Sequence, residues 1–182
     1  MAQGATVYQF EVNVSNVDRG VYESFPLRVA QHPTETPDYL LSRILALCIE
    51  YEEGMVFGQG IGSSGGDEPA VWTKDYTGQI KTWIEVGMPD PDKLHRASKA
   101  AERVLIYTHR NPDMLRRNLN GHGIYQAEYI QIHSFDYGFI TSLVSRIERR
   151  NTLDVSVTEG QLYVSFNGFD AQSQIHAVPL ER

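Results

Sequence analysis

The apolar period of this 182-residue chain switches repeatedly between two and about 3.6 residues, which limits it to folds that mix strands and helices. Residues 6–14 alternate, with Tyr8, Phe10, Val12 and Val14 on one face. Asp18-Arg19-Gly20 makes a turn, and residues 21–30 alternate again through Phe25, Leu27 and Val29, which predicts a long β-hairpin. Pro26 in the second arm predicts an edge strand, because proline has no N–H to give to a sheet ladder. The period then changes. Leu40, Leu41, Ile44, Leu45 and Cys48 form a stripe at helical spacing, with Thr34 as N-cap, Glu35 in the first turn and Gly54 beyond the end.

Five glycines in residues 58–66 require a loop. Residues 71–73 and 80–86 then read as two strands joined through Asp75-Tyr76-Thr77-Gly78. Asp90-Pro91-Asp92 opens a second helix, and Asn111-Pro112-Asp113 a third that ends at Gly121. Between them, residues 104–108 form a short apolar run, the mark of a buried strand. A strand is predicted over 125–132 and a helix from the stripe Phe135, Phe139, Ile140, Leu143, Val144 and Ile147. The tail predicts a β-meander over 153–157, 162–166 and 175–178. Strand pairs and helices alternate irregularly, so the expected architecture is mixed α+β. It has a central mixed β-sheet flanked by helices, an N-terminal hairpin and a C-terminal meander, in one domain over residues 1–182.

Composition narrows the function classes. The chain has one cysteine, so it can form neither an internal disulfide framework nor a multi-cysteine metal site. Cys48 falls on the apolar helical stripe and reads as a buried thiol rather than a nucleophile. No apolar run approaches a membrane span, and the first ten residues lack the pattern of a signal peptide. The expected setting is a reducing cytoplasm and the default state a monomer. Gly58-Gln59-Gly60-Ile61-Gly62 precedes no helix pattern and no Lys-Ser/Thr pair, which excludes dinucleotide and P-loop readings. The six histidines show no metalloprotease spacing, and no Gly-x-Ser-x-Gly elbow exists.

The carboxylates carry the main signal. Asp67 and Glu68 stand where the glycine loop enters the first of the two strands, and Glu85 near the end of the second. A hairpin folded about position 76.5 sets residue 68 opposite Glu85, and one folded about 77.5 sets residue 70 there. Either register draws Glu85 toward the Asp67-Glu68 entry, where an oxygen-seeking divalent cation such as Mg²⁺ would relieve like-charge repulsion. Solvated acids at loop–strand junctions are the plainer alternative. Glu85 is the more specific residue, since it sits in the otherwise apolar run Trp83-Ile84-Glu85-Val86 and needs a partner or a metal.

The formal charge of −7 argues against a phosphate-bearing partner, but its distribution does not. Residues 1–90 hold 13 acidic and 5 basic side chains, whereas residues 93–117 alone carry seven basic and two acidic ones. In the helix after Pro91, Arg96 and Arg103 fall within about 20° of one face, with Lys93 and Lys99 to either side. This is either a solvated helix face or a basic ridge for the phosphates of DNA or RNA.

His32-Pro33-Thr34-Glu35-Thr36 with Leu40-Leu41-Ser42-Arg43-Ile44, Asp67-Glu68-Pro69-Ala70-Val71-Trp72, Trp83-Ile84-Glu85-Val86-Gly87-Met88-Pro89-Asp90, Leu94-His95-Arg96-Ala97 and Val104-Leu105-Ile106-Tyr107-Thr108 together resemble the YaeQ family. The resemblance implies a small bacterial protein on a variant of the PD-(D/E)XK restriction-endonuclease-like fold. It implies that Glu35 is the helix acid, that Asp67 or Glu68 with Glu85 holds Mg²⁺ (or Mn²⁺), and that phosphodiester hydrolysis is the reaction. The superfamily lysine belongs two residues after the last acid, where this chain has Gly87. Arg96 or Lys99 would substitute for it, and Lys93, Arg96, Lys99 and Arg103 would engage the phosphate backbone. The missing lysine also fits a non-catalytic module on a degenerate nuclease fold, binding nucleic acid or a protein partner.

Overall fold

The computed structural model describes residues 4–58 and 68–181, which group into two compact units. The first comprises residues 1–51 and 135–175, and the second residues 52–134 and 176–182.

The first unit is built on the hairpin of β1 (Thr6–Asn16) and β2 (Val21–Gln31). β1 also pairs, in parallel, with β8 (Arg150–Thr158), which continues through antiparallel β9 (Gln161–Phe166) and β10 (Phe169–Gln174). The order β10-β9-β8-β1-β2 puts Pro26 on an edge strand, as its missing N–H requires. One face of the sheet is apolar and buried: Phe10, Val12 and Val14 from β1, Leu153, Val155 and Val157 from β8, Leu162, Val164 and Phe166 from β9. Phe10 and Phe166 stack at 6.0 Å.

Helix α1 (Pro37–Ile49) contacts β1 and β8. It starts two residues later than its sequence cap predicts. Thr36, not Thr34, is the N-cap: its hydroxyl accepts from the Tyr39 N–H at 3.2 Å, and Pro37 takes the first helical position. The ring of Pro37 disfavours helical geometry at Thr36, so Glu35 lies before the helix rather than in its first turn. Every residue from Leu40 to Ile49 is buried, Cys48 and Arg43 included. Burial pushes the Cys48 thiol up to about 12, the state of an inert structural cysteine. The helix expected from Phe135 onward is only α4 (Phe139–Val144), one turn and a half packed on β10 and α1.

The second unit is a six-stranded sheet that runs from β11 (His176–Pro179) through β7 (Gln131–Ser134), β6 (Arg103–Tyr107), β5 (Ile80–Val86) and β4 (Val71–Lys74) to β3 (Val56–Phe57). β3 (Val56–Phe57), β4 (Val71–Lys74) and β5 (Ile80–Val86) are antiparallel neighbours. β5, β6 (Arg103–Tyr107) and β7 (Gln131–Ser134) are parallel, joined by α2 (Pro91–Ala100) and α3 (Pro112–Leu119). Asp90 and Asn111 cap these helices and Pro91 and Pro112 open them, as the sequence predicts. Among 125–132, however, a 3-10 turn (Ala127–Tyr129) precedes the strand, which begins at Gln131.

The expected mixed α+β architecture is present, with its strands divided between two mixed sheets. The tail explains the division. β8, β9 and β10 form the meander, and the third apolar segment of the tail becomes β11 (His176–Pro179), antiparallel to β7 in the second sheet. Among the described residues no helix is long and apolar enough to cross a membrane.

Candidate functional site

Alternation along β5 decides where its charged residue points. Trp83 and Glu85 share a face of the sheet with their β6 partners Val104 and Ile106. Leu94 and Ala97 of α2 pack in the same cluster as Trp83, Val104 and Ile106. Glu85 therefore projects into an apolar layer beneath α2 and is only 3% exposed. A carboxylate there needs compensation, and two groups supply it at one oxygen. The Trp83 indole N–H donates to Glu85 Oε1 at 2.7 Å, and the Lys93 ammonium lies 3.2 Å from the same atom. Burial raises the Glu85 pKa, while the charge of Lys93 and the bond from Trp83 pull it back down.

Lys93 also donates to the main-chain carbonyl of Glu68 at 2.9 Å. One ammonium thus joins β5 to the entry segment of β4. Val71 pairs with Ile84 and Trp72 with Trp83, which is the register centred on 77.5 and sets Ala70 opposite Glu85. The Ala70 N–H donates to the Ile84 carbonyl at 3.1 Å. The Gly58 N–H donates to the Ala70 carbonyl at 2.8 Å, in a space where a side chain would strike the Pro69 carbonyl and the Trp72 ring. The Glu68 main chain is thereby held at the Lys93–Glu85 pair through its carbonyl. Asp67, and the glycines from 60 to 66, lie outside the described residues.

The other predicted site residues separate into distinct settings. Glu35 belongs to the first unit, where Arg43 holds it in a fully buried pair at 3.1 Å. Its backbone carbonyl accepts from Gln31 at 2.8 Å, and burial raises its pKa against the lowering charge of Arg43. Arg96 and Lys99 are exposed on α2, and Lys99 sits 5.9 Å from the centre of the Tyr125 ring. Arg103 does not share their helix. α2 stops at Ala100, because Ala101 is extended and the next residues are needed to start β6 opposite Thr82, so the predicted helical alignment of Arg96 and Arg103 does not exist. Among the described residues no three His, Cys, Asp or Glu side chains form a group arranged to hold a metal ion.

Two features of the site escape sequence reasoning. The first is the role of Lys93, read from sequence as a phosphate contact and found at the Glu85 carboxylate. Its spacing gives a signal: it lies eight residues after Glu85, in the first turn of the helix that follows the strand. The second is Trp83, whose position two residues before Glu85 places its N–H on the same strand face.

Comparison with known proteins identifies the family and the fold. The family described as YaeQ protein matches residues 1–175. The chain belongs to the YaeQ family. Its YaeQ relatives include the uncharacterized protein YaeQ of Salmonella typhi, 29% identical over 167 residues, and that of Escherichia coli (strain K12), 27% identical over 166. Both alignments cover 91% of each chain. The crystal structure of the YaeQ protein from Pseudomonas syringae superposes with a TM-score of 0.88 at 31% identity, covering 97% of both chains. The YaeQ protein from Xanthomonas axonopodis pv. citri gives 0.84 at 26% identity, covering 96% of this chain and 98% of that one. The mixed α+β arrangement is thus the fold of solved YaeQ family members.

Proposed function

We propose that this YaeQ family protein is a nuclease-like phosphodiesterase on a variant of the PD-(D/E)XK fold, acting on DNA or RNA through Glu85 and Lys93. The observation that carries the reading is the single Lys93 ammonium lying on both the Glu85 carboxylate and the Glu68 carbonyl. It accounts for the departure at Gly87. That residue has φ of +82°, a conformation that disfavours any side chain, so a lysine two residues after the acid would be strained there. The cation comes from the first turn of α2 instead. The pair also lies near the carboxyl end of a parallel strand, the edge where open α/β sheets place their ligands.

A carboxylate oxygen is the donor type that a hard divalent cation takes, and Glu85 would offer one. Both contacts of Glu85 fall on Oε1, leaving Oε2 uncommitted among the described residues. Mg²⁺ or Mn²⁺ would be held by Glu85 with Asp67 or Glu68, and would supply Lewis acidity at a phosphate oxygen. Trp83 fixes the Glu85 carboxylate in place. Lys93 offers a positive charge to a phosphate that approaches Glu85. Arg96, Lys99 and Arg103 engage the flanking backbone, and the two arginines, which stay protonated, orient rather than move protons. Glu35, sealed by Arg43, serves as a structural anion in this reading.

The test is digestion of a panel of single- and double-stranded DNA and RNA with Mn²⁺ present. The wild type should cut at least one substrate, and Glu85→Gln and Lys93→Met should not. Cleavage that persists in Glu85→Gln would reject the assignment. A second reading rests on a specific observation, namely that both Glu35 and Glu85 are already neutralised by a cationic side chain. Here the chain is a non-catalytic nucleic-acid-binding or protein-interaction module. Binding without cleavage, weakened with a shallower salt dependence in Arg96→Ala and Lys99→Ala, would establish it.

A further inference from the structure

The outer face of the first unit's sheet holds an open cavity, a surface depression of about 720 Å³. Its floor follows from strand register. One row runs Asn13, Asp154, Ser165 and Asp170 across β1, β8, β9 and β10, and the next runs Ser15, Ser156, Tyr163 and Gln172. Ser15, Ser156 and Ser165 are small, which leaves space above the sheet between larger neighbours. Tyr163, 46% exposed, presents its ring within it.

The polar groups are preorganised. Ser24 donates to the Asn13 side-chain oxygen at 2.7 Å, and the Asn13 amide donates to Asp154 at 2.7 Å. This relay fixes the Asp154 carboxylate while leaving acceptor capacity on it. Asp154 and Asp170 both pair with Ser165, so they stand two strands apart, about 10 Å at strand spacing. That is too far to share one metal ion. Among the described residues lining the cavity none is basic.

We infer that this cavity binds a hydroxyl-rich cation, an oligosaccharide of amino sugars. The two carboxylates complement ammonium groups on separate rings, and repel phosphates and acidic sugars. The serine hydroxyls and the Gln172 amide match ring hydroxyls, and Tyr163 offers an aromatic face to a pyranose. The volume lies within the range of small-ligand sites. The carboxylates alone would not define a site; the cavity, the fixed amide and the aromatic ring give it shape. This binding is independent of the Glu85–Lys93 reading and uses none of its residues.

The experiment titrates a glucosamine tetramer into the full chain by calorimetry and by ¹⁵N amide shifts, with the N-acetylated tetramer as the neutral control. The glucosamine tetramer should bind and shift amides of β1, β8, β9 and β10. Its N-acetylated counterpart should bind roughly tenfold more weakly or not at all, the loss expected when hydrogen bonds to charged groups are removed. Asp170→Asn and Tyr163→Ala, both at exposed positions, should each weaken binding by a similar factor while the rest of the amide spectrum stays unchanged. No binding, equal binding of the neutral tetramer, or binding indifferent to both substitutions overturns the proposal.

Discussion

Replacing Lys93 by methionine isolates the Glu85 pair. The substitution keeps the length and apolar stem of the side chain and removes only the charge and its hydrogen bonds. Loss of one partner from a fully buried ion pair costs about 3–5 kcal/mol, because the other charge is left uncompensated. Two features of this site reduce that figure. The Lys93 side chain is 17% exposed, and Trp83 still donates to Glu85 Oε1. A loss of roughly 2–3 kcal/mol at pH 7 is expected, which lowers a urea midpoint by about 1 M. The loss must depend on pH. Glu85 is already raised above its ordinary value of 4.5 by burial, and removing Lys93 raises it further. The stability that its protonation contributes is fully present below pH 4.5 and is lost as pH rises through the raised folded value. The gap between wild type and variant should therefore be widest near pH 7 and narrow toward pH 4, in urea titrations followed by circular dichroism. In the double variant Glu85→Gln/Lys93→Met most of the loss should be recovered. A gap equal at both pH values, or no recovery in the double variant, would refute the pairing argument.

The same reasoning extends to three other places. Arg43→Met should cost about 3–5 kcal/mol, more than Lys93→Met, because both its side chain and that of Glu35 are fully buried; chemical denaturation checks the order. Cys48 should resist thiol reagents in the native protein and react only in denaturant, read by absorbance of the released thiolate; prompt native labelling would contradict its burial. Gly58→Ala should destabilise by roughly 1–3 kcal/mol, since the new methyl group meets the Pro69 carbonyl and the Trp72 ring, and a thermal melt measures it.

How much of this was legible in the residues varies with the physics involved. The hairpin of β1 and β2, the edge position of Pro26 and the caps Asp90 and Asn111 are local, and each follows from a pattern of a few residues. The need of Glu85 for a partner was legible too, because a carboxylate in an apolar strand is costly wherever the strand lies. The identity of that partner was not, since it depends on how α2 crosses back over the sheet. The cap of α1 was misplaced because the restraint that Pro37 puts on Thr36 outweighs the capping preference of Thr34. The division of the tail between two sheets was out of reach for a similar reason. The segment after β10 is as strand-like as its predecessors, and its partner β7 lies more than 40 residues earlier in the chain. The row of polar residues across the outer sheet face has no sequence signature, because it exists only once the strand registers are fixed.

We propose that Glu85 anchors a divalent cation beside the entry of β4. Calorimetric titration of Mn²⁺ into the wild type and Glu85→Gln tests it most directly. Saturable binding is expected in the wild type and its loss in the variant, with both proteins folded. Equal binding in the two, or none in either, would contradict it.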